Sequence, residues 1–194
     1  RDASKSYMDK MRCFVHALFA DAVDNGLCTR NSAKRLKIPH IPEEPRQSFS
    51  PEEIKTIVAF ALNYEVQRIG TAVLVLLFTG LRRGELLGLK WSDFSDNTLT
   101  IRRAVYTEGN RPCVRENVAK TAASLRTVPL LPELAFRISI LPRHGEYIFS
   151  TSSGTLMNPR NFSRDYEVFF NHLRDAEPSV RYLSPHCCRH SFAT

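Results

Sequence analysis

"TAVLVLLFTGLRRGELLGL", residues 71–89, is the stretch from which the fold of this chain is predicted. From residue 68 to residue 78 the side chains are apolar on nearly every side, which is typical of a helix buried at the centre of a domain. Glycine favours the left-handed backbone that ends many helices, so this helix is predicted to end at Thr79-Gly80. A short helix over 82–89 is expected to follow at once, and the core therefore fixes the backbone that carries Arg82.

The segments on either side predict further helices and a small sheet. Ser50-Pro51 followed by Glu53 is a capping-box pattern, which predicts a helix start at residue 51. Asn158-Pro159 predicts another helix start. Further predicted elements are helices at 132–141 and 159–174 and strands at 98–106, 113–117 and 125–130. The predicted class is α+β, a mainly helical domain with a small three-stranded antiparallel sheet.

The first part of the chain is predicted to belong to a separate domain. Apolar residues at a helical period predict a helix over 7–24, which ends at Asn25-Gly26. Prolines then recur at positions 39, 42 and 45, and a helix interior does not tolerate them. We therefore predict the C-terminal part of a helical domain at 1–38, a linker at 39–48 and a second domain at 49–194.

Net charge and cysteine usage narrow the class of protein. The chain has 194 residues, a net charge of +7 and a pI near 9.4, which favours an acidic polymer, nucleic acid first, as its partner. Its five cysteines include no Cys-x-x-Cys pair, which indicates free thiols in a reducing compartment. No apolar run approaches the roughly 18 residues of a membrane span, so no membrane partner is expected. No secretory signal is visible and residue 1 is arginine, so we expect the chain to begin inside a longer one.

Three motifs carry basic side chains where backbone features would hold them. Arg82 lies in "TGLRRGEL" (79–86), where Glu85 one turn later can brace its guanidinium group. Lys120 lies in "AKTAASLRTVPL" (119–130), at the connection between two predicted strands. The third motif, "SPHCCRHSFAT" (184–194), predicts a helix capped by Ser184 and opened by Pro185, with His186, Arg189 and His190 on one face. Taken singly, each motif also fits a solvated surface arginine, hairpin lysine or basic helix face.

In this order and spacing the three motifs resemble those of the tyrosine recombinase (phage integrase) family. Its pattern is T-G-L-R-x-[SG]-E-L, a lysine on a hairpin, and H-x-x-R-H-[TS]-F-A-T. The likeness includes "LKWSDF" (89–94) and "FSPEEI" (49–54), so it extends over nearly all of 49–194. Residues 17–39 resemble the last helix of the family's helical DNA-clamping domain. The chain is most similar to integrases of bacterial conjugative transposons and phages.

The resemblance implies a metal-free cleavage and rejoining of DNA strands through a 3′-phosphotyrosine link. Arg82 and Arg189 would stabilise the negative charge that develops on the phosphate. Lys120 would protonate the departing 5′ oxygen, and His186 would hold or move a proton at the attacking oxygen. Glu85 and His190 would support them. A phosphate bound at the last helix would also offset the unfavourable placing of cations at a helix N-terminus.

The resemblance also implies partners. We expect double-stranded DNA as substrate, no cofactor, a homo-oligomer on DNA in the form of a tetrameric synapse, and an excisionase-type accessory protein. The expected location is the bacterial cytoplasm, in association with the nucleoid, and the expected process is integration and excision of a mobile element. The nucleophilic tyrosine is expected beyond residue 194, because all six tyrosines precede His186. The 194 residues alone are therefore predicted to be inactive in cleavage.

Two positions depart from the pattern: Gly84 replaces the commoner serine, and Cys188 stands where leucine is usual.

Four alternative functions remain open. A metal nuclease needs clustered carboxylates, but the acidic residues here are scattered. A non-catalytic DNA-binding module fits a chain without its nucleophile, and a type IB topoisomerase uses similar groups. A zinc site would draw on His186, Cys187, Cys188 and His190.

The predicted sheet region is basic. Residues 99–130 hold six Lys or Arg (102, 103, 111, 115, 120 and 126) against two Glu (108 and 116). Because duplex DNA carries a dense array of phosphates, we expect this sheet edge to face DNA.

Overall fold

The computed structural model describes residues 5–39, 47–116 and 125–193. The chain divides into two compact units, Arg1–Pro45 and Arg46–Thr194, and this division falls inside the predicted linker. The assignment of the first unit to a DNA-clamping domain stays a prediction. In the described part of the chain, no helix is long and apolar enough to cross a membrane.

The first unit contains one long helix, α1 (Lys5–Asp24), which ends where Gly26 takes a φ of 71°. A 3-10 turn at Ser32–Arg35 follows. Asn31 caps this turn by accepting from the backbone N–H of Ala33, and its Nδ2 donates to the carbonyl of His16 in α1 at 3.0 Å. The Asn31 side chain therefore ties the turn back to the helix.

The second unit is built around one buried helix, as the sequence predicts. This helix is α3 (Gln67–Thr79), and it contacts the five other helices of the unit. The helices are α2 (Pro51–Asn63), α3, α4 (Arg83–Leu87), α5 (Pro132–Ser139), α6 (Pro159–Ala176) and α7 (Pro185–Phe192). The strands are β1 (Phe94–Ser95), β2 (Thr98–Ile101), β3 (Arg103–Glu108), β4 (Arg111–Glu116) and β5 (Arg126–Pro129).

Two predicted helix starts are confirmed in detail, and a third in part. Ser50 Oγ accepts from the backbone N–H of Glu53, whose carboxylate accepts from the backbone N–H of Ser50, which completes the capping box of α2. Asn158 accepts from the backbone N–H of Arg160 at the start of α6. Ser184 occupies the N-cap position of α7 before Pro185, but its side chain makes no capping hydrogen bond, so that part of the prediction was wrong.

The strands form two antiparallel sheets instead of one. β1, β2 and β5 make a three-stranded sheet in that order, with Leu99 opposite Val128, and β3 pairs with β4 in a separate hairpin. The strand predicted over 98–106 is broken at Arg102. Successive side chains of a regular strand point to opposite faces, whereas Arg102 and Arg103 both pair with the carboxylate of Asp93. The backbone therefore leaves the strand conformation between them.

Candidate active site

Arg82 occupies the N-cap position of α4 and is bound there by Glu85. The backbone N–H of Arg82 donates to Oε2 of Glu85 at 2.9 Å, and Nη1 of Arg82 donates to Oε1 at 2.9 Å. The Glu85 side chain is 4% exposed, whereas the Arg82 side chain is 59% exposed. Arg82 is thus anchored at one edge and extends towards solvent. The adjacent Arg83 donates instead to Oγ of Ser163 on α6 at 2.5 Å.

A second arginine, Arg126 at the start of β5, binds the same carboxylate. Nη1 of Arg126 donates to Oε1 of Glu85 at 3.2 Å, and Nη2 donates to Oε2 at 2.7 Å. Burial alone would raise the pKa of Glu85, but the hydrogen bonds from Arg126 and Arg82 outweigh it, so this pKa lies below its ordinary value of 4.5. Glu85 is therefore ionised at neutral pH, and one buried carboxylate holds two arginines. The sequence predicted the contact with Arg82 and missed the contact with Arg126.

Helix α7 packs against α3 and brings Arg189 to the turn that ends α3. Nη1 of Arg189 donates to the carbonyl oxygen of Gly80 at 2.6 Å. Gly80 has a φ of 61° and a ψ of 22°, which is the left-handed conformation expected for a helix-ending glycine. A Cβ atom added at Gly80 would lie 2.5 Å from Cδ1 of Phe192 on α7, so a larger residue here would force the Phe192 ring to move. Arg189 is thus bound to a carbonyl two residues before Arg82.

The two histidines of α7 lie side by side, as their spacing of four residues predicts. The ring centroids of His186 and His190 are 4.7 Å apart, and the ring planes meet at 81°. His186 is exposed, while Arg189 and His190 are half-buried. The first turn of α7 therefore presents the imidazole of His186 to solvent, one turn before Arg189.

Cys188 faces the core and anchors α7 there. Its Sγ lies 3.3 Å from the hydroxyl oxygen of Tyr166, which also donates to the carbonyl of Leu183. Burial raises the pKa of Cys188 to about 12, so this side chain is a neutral thiol where it packs in the core. In 5–39, 47–116 and 125–193, no group of three or more His, Cys, Asp or Glu side chains is placed to hold a metal ion.

Residues 48–53, which we call the latch segment, bind the loop before α7 and the last turn of α7. The backbone N–H of Phe49 donates to Oγ of Ser191 at 2.8 Å. Arg181 donates from Nε and Nη2 to the two oxygens of Glu53 at 2.8 and 2.6 Å, and from Nη2 to the carbonyl of Ser48 at 2.9 Å. The hydrogen bonds from Arg181 lower the pKa of Glu53 to about 2. No pattern in the sequence indicated this role for Arg181 or Ser191.

The sheet offers less free positive charge than its composition suggests. Arg103 is buried, and its guanidinium group binds Asp93, Glu116 and the carbonyl of Gly88. Arg126 is paired with the buried Glu85, as described above. The charge count that favoured a DNA-facing sheet edge therefore includes two arginines whose charges are balanced inside the protein, and the orientation of this edge stays a prediction.

Lys120 lies outside the described residues, so its predicted role stays a prediction. The described structure brings together Arg82, Glu85 and Arg189 at the turn between α3 and α4, and places His186 and His190 on the same helix as Arg189. It adds Arg126, which the sequence analysis did not assign to this site.

Comparison with known proteins identifies the family. Residues 47–194 match the phage integrase family. A XerC-like tyrosine recombinase of Caldanaerobacter subterraneus subsp. tengcongensis is 31% identical over 217 residues, which cover 93% of this chain and 52% of the relative. The integrase of Mycobacterium phage L5 is 31% identical over 125 residues, which cover 62% of this chain and 32% of that integrase. The chain thus spans about half the length of the XerC-like relative.

Two solved structures show the same fold. The Tn1549 transposon integrase in complex with a circular intermediate DNA matches with a TM-score of 0.82 and 18% identity, over 98% of this chain and 66% of that one. A lambda integrase dimer bound to a COC′ core site matches with a TM-score of 0.63 and 19% identity, over 97% of this chain and 53% of that one. Since the family match extends over most of the chain and the fold agrees with it, the chain belongs to the phage integrase family of tyrosine recombinases.

Proposed function

We propose that the complete protein is a site-specific DNA recombinase that integrates or excises a mobile element, cleaving and rejoining strands through a 3′-phosphotyrosine link. The observation that carries this proposal is the placing of two arginines at one turn. Arg82 is held there by Glu85, and Arg189 is held by the carbonyl of Gly80. Donors that are fixed before the reaction stabilise developing charge without reorganising, which is the most effective form of electrostatic catalysis.

The proposed reaction needs this positive charge at the phosphate. In-line attack on a phosphodiester increases the negative charge on its non-bridging oxygens. A guanidinium group is always protonated and can bind two oxygens at once, so Arg82 and Arg189 can together stabilise that state without a metal ion. We therefore propose no cofactor for strand cleavage.

Proton transfer falls to other side chains in this proposal. Lys120 protonates the departing 5′ oxygen, and His186 holds or moves a proton at the attacking oxygen, since an imidazole has an ordinary pKa of about 6.5. His190 supports His186 through their edge-on ring contact. The attacking group is a tyrosine that follows residue 194 in the complete protein, and the match to only 52% of the XerC-like relative supports a longer chain. The covalent link conserves the phosphodiester energy, so no ATP is needed.

The proposed substrate is double-stranded DNA, which the net charge of +7 supports. The proposed assembly is a homotetramer on DNA, as in the lambda integrase tetramer bound to a Holliday junction. We further propose an excisionase-type accessory protein that sets direction, a bacterial cytoplasmic location, and association with the nucleoid.

The test compares three arginine variants of the complete protein on a nicked suicide substrate, with covalent protein–DNA complex as the readout. Arg82→Ala and Arg189→Ala should each cost at least about 3 kcal/mol in cleavage, by analogy with the loss of single oxyanion donors. DNA affinity should change far less, because other phosphate contacts remain. Arg83→Ala is the matched control, since Arg83 binds Ser163 instead of Glu85.

Two results would contradict the proposal. One is a similar loss of cleavage in Arg83→Ala and Arg82→Ala, because position 82 would then have no special role. The other is a covalent complex formed by residues 1–194 alone, because an internal tyrosine would then be the nucleophile.

A further inference from the structure

Arg126 shares Glu85 with Arg82, yet the proposed chemistry makes no use of Arg126. Oε1 of Glu85 accepts from Nη1 of Arg82 at 2.9 Å and from Nη1 of Arg126 at 3.2 Å. Oε2 accepts from the backbone N–H of Arg82 at 2.9 Å and from Nη2 of Arg126 at 2.7 Å. The guanidinium group of Arg126 thus binds both oxygens, whereas that of Arg82 binds one.

Charge is unevenly distributed in the cluster formed by Arg82, Glu85 and Arg126. Two arginines and one carboxylate leave a net charge of +1. The Arg126 side chain is 32% exposed, against 59% for Arg82, so the more enclosed arginine makes the two-point contact with the buried carboxylate. Two-point contacts between arginine and carboxylate are among the strongest hydrogen-bonded pairs in proteins. Arg126 therefore balances most of the charge of Glu85, and the charge of Arg82 remains available to a ligand.

We propose that Arg126 is a positioning residue, which by sharing Glu85 keeps the guanidinium group of Arg82 extended towards the scissile phosphate. This inference rests on the proposed function. Without Arg126, Glu85 would be a buried carboxylate with Arg82 as its remaining arginine partner in the cluster. Burying an unbalanced charge is unfavourable, so Glu85 would draw Arg82 inward and neutralise it. The phosphate would then lose a donor although Arg82 is still present.

Two other roles for Arg126 predict different results. If Arg126 contacts a DNA phosphate, its loss weakens DNA binding. It also makes the slope of log binding constant against log salt concentration shallower, by the amount that corresponds to about one phosphate contact. If the Arg126–Glu85 pair serves folding alone, its loss lowers stability and acts independently of Arg82. A positioning role predicts neither result.

The experiment is a double-mutant cycle in the complete protein with Arg126→Gln, Arg82→Ala and the two combined. The readouts are the single-turnover rate of covalent complex formation at saturating DNA, the DNA Kd at several salt concentrations, and the thermal midpoint. Arg126→Gln should slow cleavage by roughly 10- to 100-fold, the range expected for a lost charged hydrogen-bond partner. In the Arg82→Ala background it should slow cleavage by less than about threefold, because no guanidinium group remains to be positioned. Its salt slope should equal that of the unchanged protein.

Arg164→Gln is the matched control. Nη2 of Arg164 donates to Oδ1 of Asn161 at 2.7 Å on the exposed side of α6, so the substitution removes one positive charge without touching Glu85. It should leave the saturating cleavage rate within about threefold, since surface substitutions away from a site have small effects. Arg126→Lys takes the place of Arg126→Gln as the test variant if Arg126→Gln does not fold. A lysine keeps the charge but is a point donor, so cleavage should fall while the thermal midpoint is retained.

The inference is overturned by equal slowing from Arg126→Gln in both backgrounds, by a reduced salt slope, or by a normal cleavage rate in a folded Arg126→Gln. If Arg126→Gln does not fold, a normal cleavage rate in Arg126→Lys overturns the inference. The proposed function fails in a different way: Arg82→Ala itself would then leave cleavage unchanged. If Arg82→Ala strongly slows cleavage and the cycle is additive, the proposed function stands and only the role of Arg126 is wrong.

Discussion

Replacing Gly80 by alanine should destabilise the second unit and disturb the site at the same time. Gly80 has a φ of 61°, a conformation that costs an L-residue with a side chain about 1–2 kcal/mol. The added Cβ would also lie 2.5 Å from Cδ1 and 3.1 Å from Cγ of Phe192. Overpacking of this kind costs typically about 1–3 kcal/mol, so the total loss should be about 2–5 kcal/mol.

Gly109 provides the control for the backbone part of this loss. Its φ is 58°, and an added Cβ would meet nothing within 4 Å. Gly109→Ala should therefore lose only the backbone cost of about 1–2 kcal/mol. Phe192 is 54% exposed, so truncating it to alanine in the Gly80→Ala protein should remove the clash and bring the remaining loss close to that of Gly109→Ala.

The single tryptophan, Trp91, provides the assay because it lies in the second unit. Its fluorescence during urea unfolding reports on that unit. If the variants share the same dependence of unfolding free energy on urea concentration, the differences between their urea midpoints give the differences in unfolding free energy. Equal losses in Gly80→Ala and Gly109→Ala would refute the reasoning. An undiminished loss after truncation of Phe192 would refute it as well. Gly80→Ala should also slow cleavage more than Gly109→Ala, because the Gly80 carbonyl accepts from Arg189.

Three further predictions concern protons and metals. Lys120→Ala should slow cleavage, and a substrate whose 5′-bridging oxygen is replaced by sulfur should largely restore the rate, because a thiolate leaves without a proton; an equal rescue of Arg82→Ala would contradict the assigned roles. The pKa of Glu53 is lowered to about 2, so its stabilising effect is complete above pH 4.5 and is lost as the pH falls towards 2. Glu53→Gln should therefore lower the free energy of unfolding at pH 7 and reduce its further decrease between pH 4.5 and 2, as followed by Trp91 fluorescence. An unchanged dependence of stability on pH in this range would contradict the prediction. Cleavage by the complete protein should persist in EDTA, whereas a loss that magnesium restores would favour a metal nuclease.

The features that could be predicted from the sequence are those that depend on residues close together in the chain. The capping box of Ser50 and Glu53, the end of α3 at Gly80, and the pairing of Arg82 with Glu85 each depend on residues three or four positions apart or on one backbone angle. The run from 68 to 78, apolar on nearly every side, likewise predicted α3 as the central helix.

Contacts between distant residues could not be predicted in this way. Arg126 lies 41 positions from Glu85, and Arg181 lies 128 positions from Glu53, so no periodicity connects them. The break at Arg102 was missed for a related reason. The run over 98–106 has the composition of one strand, whereas in the structure the strand is interrupted at Arg102, and Arg102 and Arg103 both pair with the buried Asp93.

The latch segment has a consequence for engineering recombinases by exchanging their N-terminal portions. Such chimaeras need a junction, and the linker before α2 is the obvious place for it. The carbonyl of Ser48 and the N–H of Phe49 bind Arg181 and Ser191, and the ring of Phe49 stacks on Phe170 with centroids 5.7 Å apart. A donor sequence joined at Ser50 would replace the side chain of Phe49 and alter the path of these backbone groups, and so loosen the helix that carries Arg189. The crossover point that preserves activity therefore lies before residue 48, so that the latch segment and the catalytic unit come from the same parent protein.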